Sequence, residues 1–257
     1  MFDTHCHLQE LDDADAAIAR ARAAGVARML LAGVGPEQWD RDDALAARHD
    51  ALVVSYGVHP QLVGGVGEAS FDDLMQQLAT RLRQRDARVV AVGEIGLDGL
   101  DANRDCLPLQ ERYFREQLRL ARNHDLPVAL HVLRQHPQAL KILADERVEH
   151  GVLHSCSASP ELVREYVALG LHVSFSGSIT WHGGANKAAR AAAEVPRDRL
   201  VVETDAPDQT PEPQRPGRNE PAFLVAIVSA IAHLWGVDFA EAARITDGNA
   251  RRLFKLE

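Results

Sequence analysis

The 257-residue chain has few cysteines, no long apolar run and no surplus of positive charge. Its three cysteines, Cys6, Cys106 and Cys156, are too few and too scattered for a disulfide framework. None sits in a Cys-x-x-Cys arrangement, so none is read as a metal ligand. They suit a reducing compartment, and a cytoplasmic location is expected. No charged segment followed by an apolar run opens the chain, as it would in a signal peptide. No stretch approaches the roughly 18 apolar residues of a membrane span, so no membrane partner is expected. A net charge of −9 argues against wrapping a nucleic acid by bulk electrostatics, which needs Lys and Arg clustered on one face. It still permits local phosphate binding in a cleft charged by bound cations. Repeats, linkers and low-complexity tracts are missing too, and residues 1–257 read as one domain large enough to bury its own core.

What is present is an alternation. Short β-branched runs fall at Phe2 to His7, Arg28 to Ala32, Leu52 to Val58, Val89 to Glu94, Pro127 to His131, Gly151 to His154, His172 to Phe175 and Leu200 to Glu203. Several are continuously apolar, as parallel strands covered by helices are. Between them lie Ala-, Arg- and Glu-rich stretches with marked starts. Asp12, Ser70, Ser159 and Asp238 are candidate N-caps, and Pro36, Pro108, Pro137 and Pro160 suit first turns. Eight such β-then-α units in this length predict a single (β/α)8 TIM barrel. The competing open doubly wound sheet is disfavoured, because no Gly-x-Gly-x-x-Gly follows the first strand. After the eighth strand, Pro207 to Pro221 holds five prolines. A long loop of this kind inside a compact domain is more often functional than accidental.

The polar residues collect where the apolar runs stop. His5 and His7 stand two apart on an extended segment, which places both rings on one face. Glu94, His131, His154 and Asp205 close the fourth, fifth, sixth and eighth runs. Each alone has a plain explanation, as a hydrogen-bonded histidine or a helix-capping acid. A barrel, however, gathers all six at its C-terminal rim, where active sites form. Imidazole mixed with carboxylate is the ligand chemistry of Zn, Mn, Fe, Ni or Co. Six such groups suffice for two ions sharing a carboxylate, an arrangement that hydrolyses phosphorus and carbonyl centres. His59, ending the third run, is on the same rim and suits ligand, substrate or structural contact equally. His136 and His182 fall in loops on that face.

Seven ordered blocks resemble the TatD family of metal-dependent deoxyribonucleases. They are Asp3-Thr4-His5-Cys6-His7-Leu8, Gly57-Val58-His59-Pro60, Val92 to Asp98, Leu126-Pro127-Val128 with His131, Gly151 to Ser155, Glu203 to Pro207, and Arg218 to Pro221. The resemblance implies an amidohydrolase-like barrel and two divalent ions. His5, His7 and Asp205 would hold one, His131 and His154 the other, with Glu94 bridging. Glu203 would be an inner acidic partner, counted with Asp205 and Glu94 among the catalytic candidates. His59 would lie near a substrate phosphate. The chain departs from the family pattern at Gly99, at Leu133 with Arg134, and at Cys156 and Ala158, all positions that bear on the substrate pocket.

The expected chemistry is hydrolysis of phosphodiester bonds in single-stranded DNA from an end, with nucleic acid as substrate rather than stable partner. Asp205 would orient the attacking water and take its proton, and Arg215 or Arg218 would join His59 in holding phosphate. Four imidazoles favour Zn, Mn, Ni or Co in the purified protein, with Mg or Mn able to support turnover. A monomer is expected. Two other readings remain at this stage. One is C–N or carboxylic ester hydrolysis, including aminoacyl-tRNA deacylation, weakened because no Lys ends the fourth strand. The other is a non-catalytic, metal-stabilised binding protein.

Overall fold

The computed structural model describes residues 1–184 and 187–256. Its apolar runs become eight strands: β1 Phe2–Cys6, β2 Arg28–Leu31, β3 Leu52–Tyr56, β4 Val89–Asp98, β5 Val128–Leu133, β6 Gly151–Leu153, β7 His172–Phe175 and β8 Leu200–Val202. They pair in parallel in sequence order. The helices are α1 Ala14–Ala23, α2 Pro36–Ala46, α3 Pro60–Val66, α4 Phe71–Gln84, α5 Leu107–Asn123, α6 His136–Asp145, α7 Pro160–Ala168, α8 Lys187–Ala193, α9 Leu224–Trp235 and α10 Phe239–Leu253. The result is the (β/α)8 barrel that the alternation predicts. The seam between β8 and β1 is drawn together just beyond the strands. The Asp205 N–H donates to the His5 carbonyl at 3.0 Å, and the His7 N–H donates to the Ala206 carbonyl at 2.7 Å. Asp3, fully buried, clamps the same seam by accepting from the Thr204 N–H at 2.8 Å and from the Thr204 hydroxyl.

Two apolar layers follow from strand alternation. The inner one joins Phe2, Leu30, Val53, Val90, Ala129, Val152 and Val201 inside the barrel. The end of α10 plugs its N-terminal mouth, with the Phe254 ring tilted against Phe2 at 5.5 Å between centroids and Leu253 fully buried. The outer layer lies between strands and helices. In α4 it is the stripe Phe71, Leu74, Met75, Leu78 and Leu82, at helical spacing. This packing leaves the opposite, C-terminal mouth to polar groups.

Local details differ from the sequence reading. Asp13, not Asp12, caps α1, accepting from the Ala16 N–H at 2.9 Å. Ser70 precedes α4 but caps nothing; its hydroxyl donates back to the Val66 carbonyl. Ser159 and Asp238 cap α7 and α10 as expected. The fourth strand runs four residues past Glu94. Among the described residues no single helix is long and apolar enough to cross a membrane; α9 and α10, taken with the short turn before α9, pass together but are bent by 106°.

Candidate metal centre

The strand registers slip at two places on the rim, between Asp3 and Cys6 in β1 and between Val92 and Ile95 in β4. Such irregularities re-aim side chains, and here they fall on His5 and Glu94. The backbone around Glu94 is crowded. A Cβ on Gly57 would lie 2.6–2.8 Å from the backbone of Gly93 and Glu94. Gly96 sits at φ +146°, where a side chain would also strike the His131 carbonyl. These glycines let β3, β4 and β5 close tightly enough to push one carboxylate into the mouth. Gln117 of α5 fixes the neighbouring strand end, taking the Val58 N–H at 2.7 Å and donating to its carbonyl at 3.1 Å.

Glu94 is the centre of the cluster. Five imidazoles reach it, and they divide between its two oxygens. Oε2 faces His5 Nε2 at 3.1 Å and His7 Nε2 at 3.6 Å. Oε1 faces His154 Nε2 at 2.7 Å, His131 Nδ1 at 2.8 Å and His59 Nε2 at 3.1 Å. On the first side Asp205 Oδ1 stands 4.0 Å from His7 Nε2, so His5, His7 and Asp205 offer donor atoms within reach of one ion. His59, Glu94 and His131 form a second such group, and His5, His154 and Glu203 a third. Glu203, fully buried, accepts from the Ser155 N–H and lies 3.4 Å from His154 Nδ1.

The electrostatics fit a cation. Burial alone would raise the Glu94 carboxyl, but the charges of His154, His59 and His5 more than offset it and hold it well below the usual carboxylate range. Burial pushes His154 down, and Glu94 and Glu203 outweigh that, so its ring is raised well above the ordinary histidine value. The cluster thus balances its acids with imidazole protons, the positions that divalent ions take over in such sites. His5, buried and beside His154, is pushed down to about 4, which keeps it a neutral donor. Its Nδ1 is buried without a hydrogen-bond partner. Burial, together with Glu203, Glu94 and Asp208, lifts the Asp205 carboxyl to about 8, although the His154 charge opposes this. An acid so placed among acids gains most from a bound cation.

His59 differs from the other rings. It caps α3, and its Nδ1 accepts from the Gln61 N–H at 3.2 Å. The ring therefore carries its proton on Nε2 and donates to Glu94. Arg218 does not reach this mouth. Its guanidinium donates to the Glu10 carbonyl at 2.6 Å and lies 3.9 Å from Asp12. Arg215 does reach it, on the proline-rich loop. That loop walls a cavity of about 610 Å3 above His131, His154 and Asp205. Asn219 anchors the loop through bonds from its amide to the Thr204 carbonyl at 2.7 Å and the Asp208 carbonyl at 2.6 Å. His136 is buried away from the cluster, paired with the Tyr166 hydroxyl at 3.2 Å, and the side chain of His182 lies outside the described residues. Of the departures from the family pattern, Leu133 lines the cavity, whereas Cys156 and Ala158 are buried in the core.

Two contributors escape a reading of rim residues. Asp98, four residues after Glu94 and fully buried, faces His131 Nε2 at 3.2 Å and accepts from Gln61 Nε2 at 2.7 Å. The even spacing from Glu94 along a strand was the available signal. Trp181 lines the cavity, and nothing in its sequence neighbourhood marks it.

Comparison with known proteins agrees with this geometry. The family model described as TatD related DNase matches residues 2–255. The metal-dependent hydrolase YabD of Bacillus subtilis is 33% identical over 263 residues, covering 100% of this chain and 99% of that one. A protein named 3'-5' ssDNA/RNA exonuclease TatD from Cronobacter sakazakii is 37% identical over 251 residues, covering 94% and 92%. The crystal structure of the TatD homolog YjjV from Escherichia coli superposes with a TM-score of 0.91 at 32% identity, covering 100% and 98%. A match from the first strand to the plugging C-terminal turn, carried by a barrel whose mouth is built for cations, places this chain in the TatD-related DNase family of metal-dependent hydrolases.

Proposed function

We propose that the protein removes nucleotides from an end of single-stranded nucleic acid by hydrolysing phosphodiester bonds with two divalent ions. The observation that carries this reading is the division of Glu94 between two sets of imidazoles, Oε2 toward His5 and His7 and Oε1 toward His131 and His154. One carboxylate between two donor sets is what a paired site requires. His5, His7 and Asp205 hold one ion, and His131 and His154 hold the other. The relatives named as 3'-5' ssDNA/RNA exonucleases support the substrate class. The ions are transition metals in the purified protein, because imidazole donors favour them, with Mg or Mn sufficient for turnover.

When bound, such ions make water a stronger acid and offset charge building on phosphoryl oxygens. The chain's own residues do the rest. Asp205, at the cavity floor, orients the attacking water and accepts its proton. Glu203 steadies His154 from behind, and His59 holds Glu94 in place through Nε2–H. Of the two arginines expected at the phosphate, Arg215 lines the cavity and can meet the nucleotide, whereas Arg218 is turned away to Glu10. The chain acts as one unit, 1–257, as a monomer in the cytoplasm, where its three free thiols stay reduced.

The test is a short, uniformly labelled single strand incubated with metal-loaded protein. Stepwise release of mononucleotides is expected, and Glu94→Gln and His131→Ala should each abolish it. Absence of release with every divalent ion, or full activity in both variants, would overturn the proposal. Parallel assays for amino acid and ammonia release check the C–N and ester readings, for which no product is expected.

A further inference from the structure

The catalytic cluster accounts for the floor of the cavity but not for its outer wall. Trp181 stands there, in the 3-10 helical segment Gly177–Gly184 that follows β7. Its indole N–H donates to the Thr210 carbonyl at 2.9 Å, pinning the ring against the proline-rich loop. The Arg215 guanidinium lies over the ring, 4.6 Å from its centroid. The two segments are stitched a second time, by the Glu212 N–H on the Thr180 hydroxyl at 2.8 Å. An indole and a guanidinium are thus held one over the other in the same cavity as His131, His154 and Asp205. Arg215 remains about half exposed, with Glu212 as a loose partner at 3.7 Å.

Aromatic rings and guanidinium planes in a groove that tracks a polyanion are the features by which proteins hold unpaired bases, since every base offers a π-face. The cavity, about 610 Å3, matches one or two nucleotides and is far too small for a duplex. Resting on the nuclease reading above, we propose that Trp181 and Arg215 form a stacking wall for the base of the nucleotide being removed. Its phosphodiester then lies over the metal floor. Such a wall selects flexible single-stranded ends without selecting sequence.

The experiment compares kcat/KM on two single strands that differ only in whether the terminal nucleotide carries a base or is abasic. Base–aromatic contacts of the usual strength correspond to a preference of roughly tenfold to a hundredfold for the base-bearing end. In Trp181→Ala that preference is expected to collapse to about twofold, chiefly through KM. Trp181→Phe keeps an aromatic face but loses the N–H to Thr210, and it should retain most of the preference. An unchanged preference in Trp181→Ala overturns the stacking wall. So does a loss in Trp181→Phe as complete as in Trp181→Ala, which would assign the residue to loop anchoring alone. Because each variant is compared with itself on two substrates, partial misfolding cancels. If the wild-type protein degrades neither strand, the nuclease reading fails and takes this inference with it; degradation without base preference sinks the wall alone.

Discussion

Replacing Asp98 with Asn tests the paired-site geometry most sharply, because it should weaken one ion and spare the other. Asp98 is fully buried. One oxygen accepts from the Leu100 N–H at 2.8 Å, and the other meets both Gln61 Nε2 at 2.7 Å and His131 Nε2 at 3.2 Å. With its Nε2–H held there, His131 presents Nδ1 to Glu94. The Asp98 and Glu94 bonds raise the proton affinity of His131 despite its burial. The same negative charge strengthens Nδ1 as a donor. Asn keeps the shape of Asp but removes that charge, and its NH2 group, which accepts nothing, must face either the Leu100 N–H or the Gln61 and His131 donors that Asp98 now satisfies. Losing a partner of this kind costs about 10- to 100-fold in metal affinity, or roughly 1.4–2.7 kcal/mol. Calorimetric titration of the metal-free protein with Zn or Mn should show the weaker binding at one of two steps. The step that depends on His5, His7 and Asp205 should remain as in wild type, and His7→Ala should show the converse pattern. Equal weakening of both steps, or none, would refute the assignment of His131 to its own half of the site.

Chelation should abolish turnover while leaving the barrel folded, since its core is apolar. Each of the two ions, present at 100 times its Kd, adds about 2.7 kcal/mol, so stripping both should lower Tm by roughly 10–20 °C in a chain of this size; collapse of the helical circular dichroism at room temperature would contradict this. Asp42 in α2 is fully buried with neither oxygen hydrogen-bonded, and burial, aided by Asp43, lifts its carboxyl to about 8. Its folded form holds a proton that the unfolded form releases near pH 4, so stability present below pH 4 is lost as pH rises toward 8. Asp42→Asn should therefore gain up to about 4 kcal/mol over wild type at pH 7 and little at pH 4; urea unfolding at the two pH values decides, and an equal difference at both refutes it. Asn219→Ala strips donors from two carbonyls beneath the proline-rich loop and should cost about 2–3 kcal/mol in the same assay, with a neutral result showing that the anchor is dispensable.

The barrel was legible because parallel strands buried on both faces are continuous apolar runs, and runs such as Val89 to Val92 and Leu200 to Val202 admit little else. Of the six rim residues, Glu94, His131, His154 and Asp205 stand out because each ends such a run in the sequence, and His5 and His7 because they are two apart on one extended segment. The end of β4 was not, since Gly93 and Gly96 break the apolar pattern while the strand continues through them to Asp98. Caps shift by a residue between Asp12 and Asp13 because adjacent acids are equivalent in sequence and only the entry angle of the chain separates them. Arg218 and Arg215 sit three apart on one loop, and which of them faces the cavity depends on contacts with Glu10, Asp12 and Trp181 from distant segments. His136 reads like the rim histidines, but its ring turns into the packing between α6 and α7. Trp181 is a long-range feature of the same kind.

The seam between the first and last strands has a consequence for how activity fails. Asp205 contributes its carboxylate to the His5 and His7 side of the cluster, and its own N–H closes the ring on the His5 carbonyl. Glu94, His131 and His154 belong to three strands in mid-sheet, whose mutual bonds do not cross that join. On the two-ion reading, a heated or partly denatured molecule that yields first at the join would shed one cation and keep its neighbour. Inactivation should precede unfolding, and early damage should be undone by resupplying metal.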